Sequence, residues 1–80
     1  MPLFRLNLFN DMDVLDDEGQ EVPDLATAKE RAITGARELM AEHIMIGRPI
    51  NLSHRIEVAD DGGNVLATIP FRELITVVDE

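Results

Sequence analysis

The stretch PDLATAKERAITGARELMAEHIMIGRP, residues 23–49, constrains the fold of this chain more than any other. Leu25, Ala28, Ala32, Ala36, Leu39 and Met40 recur at helical spacing, and Ile33 and Ile44 widen the stripe. Charged Lys29, Glu30, Arg31, Arg37, Glu38 and Glu42 fall largely elsewhere. Asp24 is a good N-cap, because its carboxylate can accept from the unpaired amides of the first turn. Gly47 suits the residue that closes a helix, and Pro49 prevents continuation. The pattern predicts one long helix over residues 24–46. Its buried side is shallow, since alanines at 28, 32 and 36 let a sheet come close. Gly35 costs about 1 kcal/mol relative to alanine in a helix interior. It marks either a close backbone contact or a tolerated imperfection.

A helix with one apolar stripe needs a surface to cover it, and the flanking segments supply strands. In LFRLNLF (3–9), Phe4, Leu6 and Leu8 face one way and Arg5 and Asn7 the other. HRIEVA (54–59) and VLATIPF (65–71) are two further strands. Val65, Ala67, Ile69 and Phe71 are expected on one face of the second. Between them DDGGN reads as a hairpin turn. Gly19 permits a turn after the first strand, with a short second strand at 14–15 or 19–22 that Pro23 ends. Pro70 places the last strand at an edge or ends it there. For RELITVVDE (72–80) a short helix is favoured over a strand. The order β-β-α-β-β defines an α+β domain: an antiparallel sheet of three to four strands packed on one long helix, with a short C-terminal helix or strand. Residues 1–80 read as a single domain.

So short a chain buries only about 60–65% of its unfolded surface. Without cysteine it has no disulfide or zinc thiolate to compensate. Self-association through an apolar face is therefore expected, which makes the chain a homo-oligomer candidate. No charged segment followed by an apolar core marks a signal peptide, and no apolar run reaches the ~18 residues of a membrane span. A cytoplasmic protein without membrane contact is the expectation. The formal charge of −9 repels phosphate backbones, and Phe4, Phe9 and Phe71 are the only aromatics apart from two histidines. Direct binding of nucleic acid is disfavoured.

Three segments, DEGQEVPDLATA (17–28), ARELM (36–40) and IEVADDGGNVLATIPF (56–71), resemble a family of short bacterial proteins catalogued only as a domain of unknown function. The resemblance covers nearly the whole chain. It implies a single compact domain and carries no established activity. Members often begin with an aromatic-rich strand bearing a histidine where this chain has Asn7, and this first strand has no tyrosine. A role for that histidine does not transfer.

DMDVLDDEGQE, residues 11–21, holds six acids in eleven positions. Neither frame of an EF-hand fits: from Asp11 the fifth and sixth positions are Leu15 and Asp16, and with Gly19 sixth the first is Val14 and the twelfth Leu25. A looser Ca²⁺ or Mg²⁺ site would draw on Asp11, Asp13, Asp16 and Asp17. The simpler reading is a solvated loop whose acids discourage strand pairing, and the third is a docking surface for a basic partner. Asp16, Asp17, Asp60 and Asp61, expected in hairpin tips, should titrate ordinarily, without the raised pKa a catalytic acid needs. His43 and His54 lack ligand spacing on one element, and His43 suits a helix C-terminus. Ser53 beside His54 does not make a nucleophile–base pair. From His43 to Arg55 the chain has no acid, so Arg48, His54 and Arg55 either receive an anionic group, such as the acidic segment of a second copy, or pair with acids of their own chain.

The resulting expectation is a non-enzymatic acidic protein-interaction module without cofactor. It self-associates and engages a protein partner, a basic one if its acids do the docking. Its interaction surface comprises Asp11, Asp13, Asp16, Asp17, Glu18, Arg48, His54 and Arg55. The alternative is a Ca- or Mg-responsive module using loop 11–18, and an enzyme ranks last.

Overall fold

The computed structural model describes residues 1–10 and 13–79. Three short segments precede the helix: β1 (Leu3–Phe9), β2 (Asp13–Val14) and β3 (Gln20–Glu21). The helix α1 (Leu25–Met45) follows, then β4 (Arg55–Asp60), β5 (Val65–Pro70) and a single 3-10 turn at Phe71–Glu73. All pairings are antiparallel, in the order β2-β1-β4-β5, with β3 also on β1. The expected α+β architecture is present. The second strand is found at both places the sequence offered. β2 pairs with Leu8 and Phe9, while β3 pairs with Leu3 and Phe4. They are two halves of one edge strand, interrupted at residues 15–19.

Register explains the core. Leu6 lies opposite Val58 and Leu8 opposite Ile56, and across β4 Val58 meets Ala67 and Ile56 meets Ile69. These residues share the face toward α1, where Ala28, Ala32, Ala36 and Met40 are buried. Val58 is fully buried, and Val22 and Phe71 close the core at its margins. Alanines at the contact bring helix and sheet together at little side-chain entropy cost. Arg5, Asn7, Arg55, Glu57 and Thr68 lie on the opposite face, as polar residues do on a one-sided antiparallel sheet.

The local signals at both helix ends hold. Asp24 accepts from the Thr27 amide and the Thr27 hydroxyl, each at 2.8 Å. At the other end, Ile46 is the C-cap and Gly47 takes φ 75°. The Gly47 amide donates to the Ile44 carbonyl at 3.2 Å, and the Arg48 amide to the His43 carbonyl at 2.8 Å. This is the paired closure of a Schellman motif, which only a residue tolerating positive φ completes without strain.

A choice left open at Gly35 is decided, and two local expectations are corrected. Gly35 is exposed, and a Cβ built there would meet nothing within 4 Å, so it is a tolerated imperfection and not a close contact. Ile44 is exposed, because α1 continues beyond the sheet and Met40 is its last buried residue. Val65 leaves the inner face, since a bulge lets Ala59 pair with Val65 while Val58 pairs with Ala67. Pro70 lies on the outermost strand, where a missing amide breaks no interior ladder. The tail forms the 3-10 turn at Phe71–Glu73, and residues 75–79 have no regular structure.

Candidate functional site

The interruption between β2 and β3 contains the acidic segment, and it is built around Asp16. One carboxylate oxygen of Asp16 accepts from the Leu6 amide at 3.1 Å, the other from the Gly19 amide at 2.9 Å. The Asp16 amide donates to the Asn7 side-chain oxygen at 2.9 Å. Arg5 donates to the Asp16 and Asp17 carbonyls at 2.9 and 2.7 Å. Where a continuous edge strand would offer backbone partners to the middle of β1, side chains supply them. Gly19 makes the return possible with φ 74°, and its Cα lies so near Leu3 that a Cβ would come within 2.9 Å of that side chain.

Asp16 is therefore not an ordinary solvated acid. Partial burial pushes its carboxyl upward, but the amides of Gly19, Leu6 and Glu18, together with the Arg5 guanidinium, outweigh burial and hold it below its usual value. The expectation of ordinary titration is also corrected at Asp60. There the Asn64 side chain and the Asn64 amide lower the carboxyl, helped by the amides of Gly62 and Gly63. Both shifts favour the ionised form, the opposite of what a general acid near neutrality requires.

The other sequence candidates separate along the molecule. Asp13 is exposed on β2, and Asp17 and Glu18 are exposed in the insert. Asp11 lies outside the described residues. Arg55 stacks 4.5 Å from the Phe9 ring centroid and bonds Glu57 at 3.2 Å, so it pairs within its own chain. His54 is half-buried, with its ring edge-on to Phe71 at 5.8 Å. Ser53 donates its hydroxyl to the Asn51 side-chain oxygen at 2.6 Å, completing a local turn. Arg48 is exposed, and no ion pair joins it to the described residues. Among the described residues, no group of three or more histidines and acids is placed to hold a metal ion. Asp16 also has both oxygens engaged by amides.

What the structure does bring together is charge. β1 sets Leu3 and Phe4 against Glu21 and Gln20 on one side, and Phe4 against Asp60 on the other. Arg5 joins the insert to Asp61 at 3.1 Å. Asp17, Glu18, Glu21, Asp24, Asp60 and Asp61 thus gather toward the end of the molecule where α1 begins. Glu21, Asp24, Asp60 and Asp61 were not in the interaction surface expected from the sequence. Glu21 and Asp24 continue the acidic stretch along the chain, whereas the signal for Asp60 and Asp61 was nonlocal, since the pairing of β1 with β4 is what makes them neighbours. A shallow groove beside β3, lined by Gln20, Glu30, Arg31, Thr34, Gly35 and Glu38, lies along the exposed side of α1.

No helix among the described residues is long and apolar enough to cross a membrane. No curated protein and no solved structure matches the chain. Residues 3–72 match the family described as Domain of unknown function (DUF6894), and the chain belongs to that family.

Proposed function

We propose that this family member is a small cytoplasmic interaction module that acts by binding and not by catalysis, with its acidic end docking a basic protein partner. The observation that carries the reading is the convergence of Asp17, Glu18, Glu21 and Asp24 with Asp60 and Asp61, from two separate stretches of chain, onto one end of the fold. Asp16, Asp24 and Asp60 are held by hydrogen bonds within the chain. Asp17, Glu18 and Glu21 are exposed, and no side-chain hydrogen bond or ion pair joins them to the described residues. A localised field of one sign speeds encounter with an oppositely charged partner and discriminates against acidic ones.

The test compares intact protein with an Asp17→Asn/Glu18→Gln/Glu21→Gln variant in lysate capture at low and moderate salt, followed by titration of any captured protein in purified form. The variant leaves the Asp16 carboxylate intact, so loss of fold does not masquerade as loss of binding. A basic protein bound by the intact form, released by salt and bound at least tenfold more weakly by the variant supports the reading. Capture that ignores the three acids, or no capture, contradicts it.

A further inference from the structure

The opposite end of the molecule has a different character. α1 spans ~31 Å at 1.5 Å per residue, whereas the seven residues of β1 span ~24 Å. The helix therefore overhangs the sheet, and the molecule measures 45 × 24 × 18 Å. Three consecutive large apolar residues on the overhang are open to solvent: Ile44 is 66% exposed, Met45 85% and Ile46 60%. The paired closure at Gly47 and Arg48 fixes their backbone, so the patch is presented by an ordered helix end. It also opens the longest acid-free run of the chain, residues 43–56. Two copies of a chain with formal charge −9 repel each other least where acids are fewest.

The geometry points to a second copy of this chain as the occupant of that patch, in a twofold-symmetric dimer through the helix C-terminal end. Glu42 precedes the apolar trio and Arg48 follows it, both exposed and neither in an ion pair with the described residues. In a twofold interface each contact occurs twice with the residues exchanged. Pairing the ends antiparallel about Met45 sets Glu42 of each copy against the other copy's Arg48, while Met45 and Ile46, which flank Glu42 on the same side of the helix, cover those of the other copy and Ile44 lies at the margin. The charges thus select an antiparallel pairing over a parallel one. This inference rests on reading the chain as an interaction module and adds one of its partners and the surface used. It employs residues at the end remote from the acidic cluster.

Sedimentation equilibrium and light scattering of the full chain from micromolar to near-millimolar concentration test it. A concentration-dependent dimer is expected for the intact protein. Ile44→Glu/Met45→Glu should be monomeric over the same range, with its circular dichroism unchanged because both sites are exposed. Glu42→Arg and Arg48→Glu should each weaken the dimer several-fold, and the double exchange should restore it. A strict monomer, a dimer indifferent to these changes, or singles that the double exchange fails to rescue would overturn the assignment. So would a dimer abolished instead by Val65→Lys/Leu66→Lys, which would move the contact to the outer strand β5. Retention of basic-partner capture by the monomeric variant separates failure here from failure of the acidic-end reading.

Discussion

The insert at Asp16–Gly19 and the hairpin at Asp60–Asn64 begin with the same two residues, Asp-Asp, and both contain a glycine at positive φ. They do different work. In the hairpin, the Asp60 carboxylate accepts from the Asn64 amide at 2.8 Å and the Asn64 side chain at 3.0 Å, closing a turn whose strands are already paired through backbone. In the insert, the Asp16 carboxylate reaches across to Leu6 and stands in for a missing stretch of edge strand. One aspartate finishes a local turn, and the other holds two remote segments in register. An acid's composition-level neighbourhood does not reveal which task it has; the distance spanned by its hydrogen bonds does.

Removing each carboxylate sharpens the contrast. Asp16→Ala strands the Leu6 and Gly19 amides, and charge-assisted bonds of this kind, discounted for partial exposure, suggest a loss of about 2 kcal/mol. Urea unfolding should show that loss, and amide exchange should quicken across β1 and β3. The glycines differ next. Gly19→Ala combines a strained positive φ with the Leu3 contact and should cost about 1–2 kcal/mol, whereas Gly63→Ala, with φ 87° and open space around it, should cost about 1 kcal/mol or less. Asp60→Ala should lower the melting temperature less than Asp16→Ala, since its partners are exposed and local. Equal losses at the two aspartates, measured side by side, would erase the distinction between the two turns.

Much of this fold was legible from residue order. The helix bounds followed from Asp24, the 3.6-residue stripe and Gly47, all of which act within a few residues of one another. The strands β1, β4 and β5 announced themselves by alternation. The split edge strand did not, because segments of two residues have no period to read and either half alone satisfied the turn at Gly19. Asp16 was visible as an acid among acids. Its partners Leu6 and Asn7 lie ten and nine residues away, and only the register of β1 brings them back. Gly35 remained undecided in sequence because a close contact and an open surface leave the same single glycine. The open surface now predicts that Gly35→Ala stabilises the protein by about 1 kcal/mol, readable as a rise in melting temperature. The acidic end was legible in part: residues 17–24 are acidic along the chain, while Asp60 and Asp61 join them only through the pairing of β1 with β4.

The most direct test of the Asp16 staple is a site-resolved NMR titration of the side-chain carboxyls, with urea unfolding followed over the same pH range. The unfolded reference for aspartate is about 3.9. Asp16 is expected to titrate below that value, with its share of the stability fully present above it. That share is lost as pH falls through the lower folded-state pKa, so acid unfolding should be steeper in the intact protein than in Asp16→Asn. An Asp16 carboxyl that titrates at or above the reference value, with unfolding equally steep in both proteins, would show that the insert is a solvated loop and that its acid holds nothing together.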